Sequence, residues 1–161
     1  MAAAGLDRPI KLSVFDRLVT DRQSEGAIGS ANDVSKLRET VRRDLEWLLN
    51  TRRIYQTAPD DFPAVQRSLY HYGLPDVTSL GRDNPDTRAK LLAQLEETIK
   101  LFEPRLTQVR IVPAKEAMDG HRRLRFVIHA MLDADPEPVR VVFDTAVDRG
   151  NGAINVHEDE A

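Results

Sequence analysis

The 161-residue chain is 41% hydrophobic and 30% charged and has no cysteine, which fits one domain that buries its core without disulfide or zinc staples. The absence of thiols excludes cysteine nucleophiles, iron–sulfur clusters and structural Cys–zinc sites. A net charge of −3, from 23 Lys+Arg against 26 Asp+Glu, argues against duplex nucleic acid as the main ligand, and 6% aromatics argue against a stacking platform for single strands.

Residues 1–12 read as a flexible N-terminal arm, followed by a domain over 13–156 and an acidic tail over 157–161. No apolar stretch follows a basic start and no run reaches the roughly 18 apolar residues that span a membrane, so a cytoplasmic chain without membrane insertion is expected. Ile10, Leu12, Val14, Phe15 and Leu18 suggest a short segment docked on the core. Residues 19–32 are polar and carry Gly26 and Gly29, as a loop does.

A helix is predicted from Asp33, with Asn32 or Asp33 as its cap. Val34, Leu37, Val41, Leu45 and Leu48 recur at steps of three and four, with Trp47 at the edge of that stripe. Arg52 and Arg53 fall just past its end, where cations complement the helix dipole. The stretch 54–86 holds five prolines and glycines before Pro85. It reads as a long connection packed on the core, with one or two turns of order near Phe62–Tyr70. A second long helix follows, with Asn84 as cap and Pro85 at its first position. Leu91, Leu92, Leu95, Thr98, Ile99 and Phe102 form its inward face, and Pro104 stops it.

After Pro104 the hydrophobic period changes from helical to alternating. Strands are predicted around Leu106–Val112, Leu124–Leu132 and Val139–Phe143, with a short fourth at Ala153–Val156. Turn signals stand at Asp119-Gly120 and Asp135-Pro136. The fold class expected is α+β: N-terminal helices packed on one face of a largely antiparallel C-terminal sheet.

Chemistry-bearing motifs are scarce. His71, His121, His129 and His157 have no metal-ligand spacing, so neither a metal site nor a cofactor is expected. No nucleophile elbow or phosphate-binding glycine loop is present. Glu103-Pro104-Arg105 stands out because a glutamate at a helix C-terminus opposes the dipole and needs a cation; Arg105, Arg52 and Arg53 are available. One reading is a structural ion pair that ties helix to strand. The other is an exposed charged fork that docks a second chain. A glycosidase with Glu103 as its acid is a third possibility, although one acid without a partner carboxylate is weak support.

Several strings in order resemble one family. Ser13-Val-Phe-Asp-Arg-Leu18 is similar to an N-terminal LFDRL signature, and Arg38 to Arg53 to a core helix ending LLNTRR. Tyr72-Gly-Leu-Pro-Asp76 matches a YGLPD loop and Phe102-Glu-Pro-Arg-Leu106 an EPR motif. Phe126–Ala130, Glu137–Val139 and Phe143–Thr145 are similar to closing strands. Together they resemble the TssE family of type VI secretion baseplate subunits, related to contractile-phage baseplate wedges and long labelled lysozyme-like. The resemblance implies a structural, non-enzymatic part of a hetero-oligomer assembled at the inner-membrane-docked apparatus. Its implied partners are TssF and TssG, with TssK, the sheath proteins TssB and TssC, and the VgrG spike. It further implies that Glu103, Pro104 and Arg105, with Arg52 and Arg53 nearby, contact the wedge core. A sheath strand would be received at an open sheet edge, expected at Val139, Val141 and Phe143 or at Ala153–Val156.

Overall fold

The computed structural model describes Phe15, Leu18 and residues 31–54, 61–75, 85–114, 123–134, 137–148 and 152–159. Of the loop expected at 19–32, residues 19–30 lie outside the described residues, as do the Asn84 cap and the turns at Asp119-Gly120 and Asp135-Pro136, while Ala31 and Asn32 are helical.

Helix α1 spans Ala31–Asn50 and buries Leu37, Val41, Leu45, Leu48 and Leu49, as its periodicity requires. It starts at Ala31, ahead of the expected cap at Asn32 or Asp33, so those residues belong to its first turn. The long connection holds a one-turn helix α2, Pro63–Gln66, and a 3-10 turn, Leu69–His71. Helix α3, Pro85–Phe102, buries Leu91, Leu95, Thr98 and Ile99.

Four strands follow: β1 Leu106–Pro113, β2 Arg123–Leu132, β3 Val139–Asp148 and β4 Ile154–Glu158. They form one antiparallel meander in chain order, because each connection joins neighbours. Alternation sends Phe126, Ile128, Ala130 and Leu132 of β2, and Val141, Phe143 and Val147 of β3, onto the helices. The chain is therefore α+β with its N-terminal helices on one sheet face. His129, on the opposite face of β2, is half-buried.

Two details depart from simple alternation. In β1, Gln108 and Val109 together oppose Ala130, since Thr107 pairs with Met131 and Arg110 with His129. Gln108 takes φ +51 to make this bulge, which brings both Leu106 and Val109 inward although they are three residues apart. At the other end, β4 outruns its expected limit. His157 pairs with Asp144, Glu158 pairs with Phe143, and the Asp159 N–H donates to the Val142 carbonyl at 3.0 Å. The chain therefore stays in the ladder where an acidic tail was expected.

Candidate functional site: the junction of the last long helix and the sheet

Helix α3 ends where Pro104 makes continuation impossible. The chain turns at once into β1 through the Leu106 N–H, which donates to the Glu103 carbonyl at 3.1 Å. This tight turn carries Glu103 and Arg105 to the same side. The Arg105 guanidinium grips Glu103 through both carboxylate oxygens: Nε donates to Oε1 at 2.6 Å and Nη2 to Oε2 at 2.6 Å. Nη2 also donates to Asp44 Oδ2, on α1, at 2.7 Å. The cluster thus joins α1, the end of α3 and the start of β1.

Glu103 is 4% exposed and Arg105 6%. Burial by itself lowers the affinity of the guanidinium for its proton, but the bonds to Glu103 and Asp44 outweigh it and hold the pKa above the usual arginine range. The exposed charged fork is thereby corrected: both charges are spent inside the molecule, and the reading that ties helix to strand is the one the geometry carries. Both Glu103 oxygens rest on Arg105 in a sealed position, which also puts them out of reach of a polysaccharide. Pro104 itself is exposed.

The two arginines after α1 behave differently from one another. Arg52 is exposed and bridges to Leu74 through the main chain. Arg53 reaches away from the Glu103 cluster, donating from Nε to the Gly73 carbonyl at 3.2 Å and from Nη2 to Thr98 Oγ1 at 3.2 Å. The Leu74 N–H donates to the Thr51 carbonyl at 2.8 Å, and the Arg53 N–H to the Leu74 carbonyl at 2.7 Å. The loop around Tyr72–Pro75 is in this way stitched to the end of α1. Tyr72 then stacks edge-on against Phe102, 5.3 Å between centroids. Burial, with Asp44 and Glu103 nearby, raises the pKa of its hydroxyl.

Of the two stretches expected to offer a strand edge, Val139–Phe143 lies in the inner strand β3 and Ala153–Val156 runs into the outer strand β4. β3 lies between β2 and β4; Phe143 pairs with Ile128 on one side and Glu158 on the other, and it is fully buried. Val139 and Val141 pair with Leu132 and Ala130 of β2, and Val141 is 3% exposed. Among the described residues the outer edges are β1 and β4. Each is met by a helix. The Asn50 amide, at the end of α1, donates to the Ile154 carbonyl at 2.7 Å and accepts the Ile154 N–H at 2.9 Å, as a neighbouring strand would. Arg42 Nη1 donates to the Val156 carbonyl at 3.2 Å, and Arg38 pairs with Glu158 at 3.2 Å. On β1, the Ile111 N–H donates to Glu96 Oε2 of α3 at 3.4 Å, and Pro113 offers no N–H at all.

Asp44 is the site residue that sequence reasoning missed. It sits beside the Val41–Leu45–Leu48 stripe, and that flanking position was the available signal. As one acid among 26, it showed nothing of its partner 61 residues away.

Comparison with known protein families matches residues 35–137 to the family described as baseplate wedge protein gp25. That span takes in most of α1, the stitched loop, α3, the Glu103–Arg105 turn, β1 and β2. No curated protein and no solved structure matches the chain.

Proposed function

The chain belongs to the baseplate wedge protein gp25 family, of which TssE is a member, and we propose that it is a non-catalytic structural subunit of a type VI secretion baseplate. Membership itself supports a structural role in a phage-tail-like baseplate, assembled with other baseplate subunits. The observation that carries the reading is the match over residues 35–137. The motifs from Ser13 to Thr145, in family order, support its narrower form.

In that form the protein docks on the wedge core built by TssF and TssG, with TssK and the VgrG spike in the same assembly. Exposed Pro104 and Arg52 mark the docking corner, while buried Glu103 and Arg105, with Arg53, keep that corner in shape. The outer edge of β4 templates the first ring of TssB and TssC sheath by accepting a strand through main-chain hydrogen bonds. The incoming strand takes the place of the Asn50 amide on Ile154.

Affinity purification of the tagged full-length chain from its own cells tests this. TssF and TssG are expected to come with it, and sheaths are expected to be lost when the chain is deleted. Recovery of the chain without wedge subunits, from cells that still assemble sheaths after its deletion, would overturn the reading. A lysozyme-like activity is tested separately: neither the wild-type protein nor Glu103→Gln is expected to clear peptidoglycan.

A further inference from the structure

The Glu103–Arg105 network does not end inside the molecule. Asp44 splits its carboxylate between two arginines. Oδ2 takes Arg105, and Oδ1 takes Arg43, with Nη2 at 3.1 Å and Nε at 3.3 Å. Arg43 lies towards the surface of α1. Its guanidinium carbon stands 5.2 Å from the Phe15 ring centroid and 4.9 Å from that of Trp47. Phe15 meets Trp47 edge-to-face at 5.4 Å. A planar guanidinium held along one edge by a carboxylate offers its π-faces in a fixed direction, which a flexible ammonium could not do.

Phe15 belongs to the N-terminal motif and rests on Trp47 and Arg43 of α1. It is 48% exposed and Trp47 is 46% exposed, so about half of each side chain is covered. Beside that burial, its seat is made by the Trp47 ring and by an arginine whose plane Asp44 helps to hold. We infer that the buried Glu103–Arg105 pair is a positioning device for the N-terminal segment: through Asp44 it sets the plane of Arg43, and Arg43 with Trp47 forms the seat for Phe15. Two motifs about ninety positions apart in the chain are thereby one mechanical unit. Leu18, three positions after Phe15 in the sequence, is 80% exposed. The inference does not depend on what the chain assembles with, so its test uses the full chain alone.

Trp47 is the single tryptophan of the sequence, and its emission reports on the seat directly. Phe15→Ala is expected to shift that emission to longer wavelength and to raise its quenching by acrylamide. Arg105→Lys keeps the charge but cannot fork to Glu103 and Asp44 together; it is expected to produce the same shift with unchanged far-UV circular dichroism. Placed in the Phe15→Ala background, Arg105→Lys is expected to add nothing, because the occupant has already left. Asp44→Asn, which alters no volume, serves the same comparison if Arg105→Lys does not fold. Leu95→Ala is the control: it loosens the core and lowers the melting temperature but leaves the emission in place. The inference is overturned if the folded Arg105 or Asp44 variant leaves Trp47 unmoved, if its shift persists in full without Phe15, or if Leu95→Ala reproduces it.

Discussion

The Thr51 carbonyl accepts the Leu74 N–H, and Gly73 stands so close over it that an added Cβ would lie 2.3 Å from Thr51 O. Gly73 also has φ +95, a conformation that side-chain-bearing residues adopt with strain. Gly73→Ala is therefore expected to cost at least the roughly 1–3 kcal/mol of such a backbone, read as a lower urea midpoint with an unchanged slope. For the buried pair, Arg105→Met alone strands the Glu103 carboxylate and is expected to lose about 3–5 kcal/mol, whereas Glu103→Met leaves Arg105 with Asp44 as its carboxylate partner and is expected to lose less. Replacing both by methionine should lose clearly less than the two single losses added together. Additive losses would mean that the two charges do not depend on each other. Sequence reasoning found Glu103 and Arg105, because a glutamate at a helix end demands a cation. It could not find Asp44, whose role exists only once α1 lies beside the turn. Nor could it decide between a buried and an exposed pair, since spacing fixes adjacency and not what packs over it.

Between elements, the closest fit is the Asn50 side chain lying along β4. The register leaves the Ile154 main chain pointing away from β3, and the amide supplies both a donor and an acceptor at that point. Asn50→Ala removes these bonds and is expected to destabilise the chain by about 1–2 kcal/mol. It should also make the protein self-associate, visible as a rise in light scattering with concentration, because an uncovered edge pairs with other strands. A variant that is destabilised but stays monomeric would show that the amide does not guard the edge. The strands and helices themselves were legible, since the change of period at Pro104 separates them cleanly. Which of the two candidate stretches, Val139–Phe143 or Ala153–Val156, lies outermost was not legible. Val139, Val141 and Phe143 alternate as an edge strand might, and only the pairing of β4 with Phe143–Val147 places β3 inside.

At the scale of the molecule, the family match stops at residue 137, before β3 and β4 begin. Yet Phe143, Val147, Ile154 and Val156 belong to the same core as Leu45 and Leu95. Removing residues 153–161 deletes two inward side chains, uncovers β3 and leaves Arg38, Arg42 and Asn50 without their β4 partners. The shortened chain is expected to elute as aggregate on size exclusion, and a well-folded monomer would mean that β4 is an accessory. The α+β arrangement was readable in advance because helices precede a run of short alternating strands. The length of β4 was not, since His157 and Glu158 look like tail residues until Asp144 and Phe143 pair with them. The sheet also carries one silent letter. Excising Gln108 would leave Leu106, Val109 and Ile111 in ordinary alternation, with every inward side chain still inward. A homologue shorter by one residue at this point keeps the same interior, and what it gives up is the local coiling of its first strand.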